Sequence, residues 1–387
     1  MIVKDIEFEN FRNIESEKIE FSEGINVIYG ENAQGKTNII EGIYLFARGK
    51  SFRAFKDKEL VKFDKSVAYA KMNFESKGNE TLLGVEIPKS QTKKFYRNKI
   101  KVAKTSEIIG EFRAVLFCPS HLGIIKDSAS VRRKFLDVAI SQLRPVYIKI
   151  MARYNAVMEE RNAILKMMPE ERRENEALMD IYSEELASLC ADIADIRNEY
   201  IKKLDYWVSV FFEDMTKGKE KPKITYESNA SENDFENRES LKNRYLDLLK
   251  NNKEREYKYG ATLFGIHKDD LKIEINGRDS RFYSSQGQQR SLALAMKMAE
   301  GEISREGKGE YPVFLFDDVL SELDDGRKKY VLSNISSRQV IITGCDKGVF
   351  ENTSDCNFIY IKDGKRNEDL NFAEETEISE EYEDTGI

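Results

Sequence analysis

The chain has 387 residues, 34% of them charged and 40% hydrophobic, with 62 Lys and Arg against 69 Asp and Glu for a net charge of −7. That length exceeds what one hydrophobic core usually fills, so two lobes are expected, with enough apolar material for a folded protein under a heavily solvated surface. No run approaches the roughly 18 apolar residues of a membrane span, and two histidines and four cysteines without a CxxC pair leave neither a His-rich metal site nor a disulfide framework, so a reducing cytoplasm fits best.

The N-terminal MIVKDIEFENFRN lacks the apolar segment of a signal peptide. IVKDIEFENF and KIEFSEGINVIYG read as strands that lead into GENAQGKT, Gly30 to Thr37. That stretch matches G-x-x-x-x-G-K-[ST], and NIIEGIYLF after it reads as a helix. Strand, turn and helix in that order direct backbone N–H groups and a helix start at phosphates. Lys36 is then expected on the β- and γ-phosphates, and the Thr37 hydroxyl on Mg²⁺. The plain alternative is a Gly-containing turn with an ordinary lysine.

AYAKMNFES, TLLGVEIPK and KKFYRNKIKVA suggest an antiparallel meander. Its last part is basic: Lys93, Lys94, Arg97, Lys99 and Lys101 surround Phe95 and Tyr96. That mixture suits phosphate contact with base stacking, and equally suits a solvated hairpin. AVLF, ending at Phe117, is a buried-strand run followed by a turn at Pro119. From about Ser130 the apolar spacing becomes helical, interrupted at Pro145 and at MPEERREN, which predicts two long helical stretches forming an antiparallel arm. Strands return at KPKITYES, and LKIEINGRDSRF is expected to be a hairpin turning at Asn276-Gly277.

SSQGQQRSLALAMKMAE places Ser284, Ser285 and Gly287 at the start of a strong helix. This is a second helix start suited to an anion, or else a simple helix cap. One phosphate site has no use for two such starts, whereas two copies arranged head to tail do: each turn would cap the γ-phosphate held by the other copy. YPVFLFDDVLSELDDGR is a buried strand ending in two carboxylates, with Asp317 expected to orient Mg²⁺ and Asp318 to polarise the attacking water. The tail from Asn367 carries no basic residue and reads as a solvated extension.

On ENFRN, GENAQGKTNIIEGIYLFARGKSFR, LFCPSHLGIIKDSASVRRKFLD, RYNAVMEERNAILK, GIHKDDL, SSQGQQRSLALAMKMAE and FLFDDVLSELDDGR, the chain resembles the RecF family, relatives of the SMC and ABC ATPases. The resemblance covers nearly everything except the acidic tail. It implies an α/β fold: an ABC-ATPase-like P-loop head, with a mixed sheet, helices and an antiparallel β part, carrying an inserted helical arm. The head is expected over 1–140 and 261–368, the arm over 141–260 and the tail over 369–387.

The resemblance further implies ATP and Mg²⁺ as ligands, an ATP-dependent homodimer, binding to double-stranded and gapped DNA, slow hydrolysis, and RecO and RecR as partners in loading RecA, with no membrane partner. By motif match Gly30, Glu31, Asn32, Ala33, Gln34, Gly35, Lys36, Thr37 and Asn38 form the phosphate loop, and Arg12 lies near the nucleotide. Ser285, Gly287 and Gln288 form the signature turn, Thr37 and Asp317 the metal side, Lys36 and Asp318 the catalytic groups, and Ser321 to Asp324 the D-loop. Lys50, Arg53, Lys93, Lys94, Arg97 and Lys99 are the candidate DNA contacts, while Arg132 and Arg133 either contact DNA or pair with carboxylates.

Two departures from the family stand out: Ser120-His121 replaces the acidic pair of its PEDL, and GIHKDDL replaces GPHRDDL. Unlike ABC ATPases, but like the family, the chain has no switch histidine after VIITG, which implies slow hydrolysis. His267 is expected to be structural or dimer-associated. A transporter subunit would carry the switch histidine and no arm. A structural tether using ATP as a latch would not need Lys36, Asp317 and Asp318 together.

Overall fold

The computed structural model describes residues 1–320, 323–335, 338–344 and 356–367. The acidic tail, Ser321 and Glu322 lie outside the described residues. The chain divides into two compact units, one of Met1–His121 with the described residues from Glu300 onward, the other of Leu122–Ala299.

The first unit holds two six-stranded sheets. One is antiparallel, in the order Ile14–Glu20, Ile2–Phe11, Val67–Ser76, Asn79–Pro88, Lys94–Arg97, Ile100–Lys101. Its strands show the period of two that one buried face demands: Ala68, Ala70, Met72 and Phe74 point inward and their neighbours do not. The other runs Lys365–Arg366, Cys356–Lys362, Ile25–Tyr29, Val340–Thr343, Val313–Asp317, Ala114–Phe117, parallel except for its first pair. Ile25–Tyr29, Val313–Asp317, Val340–Thr343 and Ala114–Phe117 are buried on both faces, which is why they read as near-continuous apolar runs, interrupted by Asn26 and ended by Asp317 and Thr343.

Helix Lys36–Arg48 packs into this unit's core through Ile39, Ile40, Ile43 and Phe46. The packing is close at Gly42, where an added Cβ would lie 2.2 Å from the Phe8 ring. Any larger residue there would have to displace the Phe8 ring or the helix.

The second unit is helical, with Ala129–Leu143, Val146–Leu165, the 41-residue Glu176–Thr216, Arg238–Asn251 and Lys253–Tyr259. A three-stranded sheet joins Arg278–Asp279, Asp270–Ile275 and Pro222–Glu227, the hairpin turning at Asn276-Gly277 as its sequence predicts. The sequence predicts boundaries at 140/141 and 260/261; the contacts divide the chain at 121/122 and 299/300. Two interactions move the boundary. Pro222–Glu227 pairs along its whole length with Asp270–Ile275. Arg132, on helix Ala129–Leu143, grips Asp270 through two bonds of 2.6 and 2.7 Å. Arg133 donates to the Asp269 carbonyl at 2.7 Å. Both arginines are therefore tied within the unit.

His267 is structural. The Tyr154 hydroxyl lies 2.6 Å from Nδ1 and the Thr262 carbonyl 3.2 Å from Nε2, so Nε2–H donates and Nδ1 accepts: the neutral tautomer. Burial lowers its pKa from 6.5 to about 4. The folded form thus resists protonation, and the stability held at pH 7 is lost as pH falls through 6.5 toward 4. Asp269, raised by burial to about 6, acts with the opposite sign over much of that range. The expected result is therefore differential. Between pH 7 and 4.5 the wild type loses about 2 kcal/mol relative to His267→Gln in urea unfolding. Parallel pH profiles for the two proteins would remove this role for the imidazole.

Candidate functional site

The candidate site lies at the C-terminal ends of the parallel strands of the first unit. Ile25–Tyr29 ends at Gly30, whose φ of 141° places its α-carbon so that a Cβ would fall 2.3 Å from the Ile361 carbonyl oxygen. Only glycine fits there. The loop closes at Gly35, with a φ of 110°, which caps helix Lys36–Arg48 and would press a Cβ to 2.9 Å from Asn13 Oδ1. A helix begun in this way directs its first-turn N–H groups out of its start, the arrangement that attracts phosphate. Lys36 is 9% exposed, and its Nζ donates to the carbonyls of Gly30 and Glu31 at 2.5 and 2.7 Å. The ammonium is thus held inside the loop it is expected to serve. Behind the loop, Gln34 accepts from the backbone N–H groups of Asp363 and Gly364.

Thr37, one residue into the helix, donates to Asp317 Oδ1 at 2.8 Å. Thr343 donates to the same oxygen at 2.9 Å, from the end of the neighbouring strand. Asp317 is 6% exposed, and burial raises its pKa against these two bonds, which pull the other way. A desolvated carboxylate beside a hydroxyl is a hard-oxygen donor pair of the kind Mg²⁺ takes together with phosphate oxygens and water. No group of three or more His, Cys, Asp or Glu gathers into a metal cage among the described residues. Mg²⁺ suits this sparse set because it is commonly held by one or two carboxylates plus substrate phosphates.

Asp318 follows in the left-handed region, φ 55°, a conformation Asp tolerates better than most residues. Its N–H donates to Thr343, and its side chain is exposed at the mouth of the strand ends. Of the D-loop residues, Leu323 is buried and Asp324 caps helix Asp325–Ile335 through the Arg327 N–H at 3.0 Å.

The structure thus brings the phosphate loop, Asp317 and Asp318 together. Arg12 is placed one helical turn further on: it forks onto Glu41 at 2.7 and 2.8 Å and donates to the Glu59 carbonyl at 2.9 Å. Glu41 is fully buried and also accepts from the Ser51 hydroxyl, whose oxygen in turn takes the N–H groups of Arg53 and Ala54. Glu41, Ser51 and Asn13 are not among the residues that the motifs single out. A signal existed: one acidic residue in the apolar helix NIIEGIYLF must be paired if buried.

The signature turn belongs to the second unit. Ser285 and Gln288 exchange bonds, Ser285 N to Gln288 Oε1 at 2.7 Å and Gln288 N to Ser285 Oγ at 3.2 Å, capping helix Gln286–Lys308. Gln288 also donates to Glu220 at 2.6 Å. Ser285 is exposed and Gly287 half-buried. In place of the acidic pair, Ser120 bonds Cys118 Sγ at 3.1 Å, and His121 accepts from the Cys118 N–H at 3.2 Å.

The basic hairpin differs from one of its two expectations. Phe95 is buried against Phe46, so it offers no stacking face. Lys93, Lys94 and Arg97 pair with Asp57, Glu86 and Glu111 at 2.7, 2.8 and 2.7 Å. Lys50, Arg53 and Lys99 are exposed, Lys99 in a left-handed turn and Arg53 within 3.4 Å of Asn38.

The family described as RecF/RecN/SMC N terminal domain matches residues 2–368. The DNA replication and repair protein RecF of Caldanaerobacter subterraneus subsp. tengcongensis is 42% identical over 367 residues, covering 92% of this chain and 97% of that protein. A solved structure described as the recombination mediator protein RecF-ATPrS in the RecFOR pathway superposes with a TM-score of 0.87 at 39% identity, over 94% of this chain and 97% of the other. An Smc head domain from Pyrococcus furiosus gives 0.54 at 18% identity, over 97% and 99% of the two chains, a likeness of fold alone. No helix among the described residues is long and apolar enough to cross a membrane.

Proposed function

The chain belongs to the RecF family of the RecF/RecN/SMC ATPases, and on that premise we propose that it is an ATP-driven DNA clamp of recombinational repair, closed by ATP and released by slow hydrolysis. The observation that carries the reading is the Thr37–Asp317 contact of 2.8 Å, which puts a metal-side hydroxyl and a buried carboxylate at the mouth of a phosphate loop.

In this reading the loop N–H groups and Lys36 bind the phosphates, and Thr37 and Asp317 hold Mg²⁺. Bound there, Mg²⁺ would supply charge neutralisation on the phosphates. Asp318, exposed beside that pair, orients and polarises the attacking water. Ser285, Gly287 and Gln288 of a second copy cap the γ-phosphate, so ATP bridges two chains and stabilises the dimer by its own contacts. Loss of the γ-phosphate removes the bridge. DNA, RecO and RecR enter as partners on the strength of the relatives' names and of the pathway given for the solved RecF structure.

The test is molar mass in solution with ADP, with ATP, and with ATP plus Asp318→Asn. ATP is expected to convert monomer to dimer. Asp318→Asn is expected to keep the dimer long after the wild type has returned to monomer, with turnover lowered by about 10²-fold or more. A mass indifferent to nucleotide would leave the signature turn as a helix cap and remove the clamp.

A further inference from the structure

The segment from Lys50 to Lys65 carries two phenylalanines that the fold leaves outside. Phe55 is 92% exposed and Phe63 98%. They are not the loose ends of an unstructured loop. Phe52 packs edge-on against Tyr44, Leu60 and Val61 are buried, and the chain is pinned to the first strand by Arg12 N to Leu60 O at 2.8 Å and Lys62 N to Asn10 O at 2.8 Å. Between the two rings runs a short 3₁₀ turn, Asp57–Leu60, held by Glu59, which accepts from the N–H groups of Phe55 and Lys56. Pinned on both sides of the turn, the segment presents both rings from a fixed backbone.

The charges around them are sorted. Asp57 is taken by Lys93, Asp64 lies 3.9 Å from Lys65, Glu15 lies 3.2 Å from Lys62, and Glu59 accepts from the backbone. Lys50, Lys56 and Lys58 are exposed, and none has a carboxylate partner among the described residues. Lys89 donates to the Phe63 carbonyl at 2.6 Å, with its ammonium 6.0 Å from that ring's centre. A protein partner or a second copy would need a continuous apolar face, whereas these rings are set singly among charged side chains in which lysines outnumber carboxylates. Flat apolar faces interleaved with unneutralised lysines match a polyanion that offers flat groups of its own.

We infer that Phe55 and Phe63, with Lys50, Lys56 and Lys58, form a stacking surface for the unpaired bases of single-stranded DNA. Bases in a duplex are stacked on one another and turn no free face outward; unpaired bases do, and any base can stack on an aromatic ring. The lysines take the phosphates without regard to sequence. The surface is also tied to the nucleotide site, because the Ser51 hydroxyl that holds the Arg53 and Ala54 N–H groups is bonded to Glu41 on the phosphate-loop helix. The inference rests on the DNA-binding reading above and assigns it a surface.

The test is fluorescence anisotropy of the full chain with ATP and Mg²⁺ against three probes: an oligothymidylate, an abasic strand of equal length, and a blunt duplex. Phe55→Ala with Phe63→Ala is expected to weaken oligothymidylate binding by about tenfold or more and to leave the abasic strand and the duplex unchanged. Trp at both positions is expected to restore the affinity. If the wild type binds DNA but the double variant behaves like it on all three probes, the stacking surface is wrong and the clamp stands. If the variant weakens all three equally, or changes the mass of the ATP-bound protein instead, the rings serve folding or a second copy, and the inference falls. If the wild type binds none of the probes, the DNA-binding reading itself fails.

Discussion

Replacing Lys36 by Met is expected to lower affinity for ATP by about 10²–10⁴-fold, because two charge-assisted bonds to phosphate are lost at roughly 1.5–3 kcal/mol each. The fold should survive. Met fills a similar volume, and the carbonyls of Gly30 and Glu31 that now accept from Nζ lie in a loop open to water at Glu31, Asn32 and Ala33. Equilibrium titration with a fluorescent ATP analogue, beside a thermal melt, separates the two effects. A variant that melts like the wild type and binds ATP equally well would mean that Lys36 is a structural lysine and that the nucleotide lies elsewhere.

The second large effect concerns the helical unit. Arg161 and Glu256 are both fully buried and meet at 2.5 Å. The guanidinium also donates to Ser183 at 3.0 Å and Thr262 at 2.9 Å, and the carboxylate accepts the Leu263 N–H at 2.8 Å. Arg161→Met leaves Glu256 charged in an apolar interior and is expected to cost about 3–5 kcal/mol. Arg161→Met combined with Glu256→Leu should cost far less, since two apolar residues of similar volume can replace a buried pair at little net loss. Urea unfolding of the wild type, both single variants and the double variant closes the cycle. A single variant within 1 kcal/mol of the wild type, by the scale for exposed pairs (~0–1 kcal/mol), would show that water reaches the pair.

Both predictions rest on features of different legibility. The phosphate loop could be read directly, because its chemistry is contiguous: an apolar strand, two glycines at fixed spacing, a lysine and a hydroxyl at a helix start. The same holds for Asp317 and Asp318, which close an unbroken apolar strand, and for the Asn276-Gly277 hairpin. In each case the backbone geometry follows from residues next to one another, so local sterics and burial period are sufficient.

The sequence did not reveal which charges are spent. KKFYRNKIK reads equally as a DNA-facing strip and as a solvated hairpin, because in a strand a shift of one residue exchanges the two faces. The register Val85 to Phe95 and Leu83 to Arg97 turns Phe95 into the core, and Asp57, Glu86 and Glu111 then neutralise three of the cations. Nothing near those residues announces the pairing. The same is true of Glu41, which answers an arginine 29 residues before it, and of Pro222–Glu227, which pairs with a strand more than forty residues on. Local order determined the nucleotide loop, the strand-end carboxylates and the class of fold. Which basic and aromatic side chains remain facing solvent was decided only when distant strands and helices met, because a side chain's exposure and charge partner belong to its neighbours in space, not in sequence.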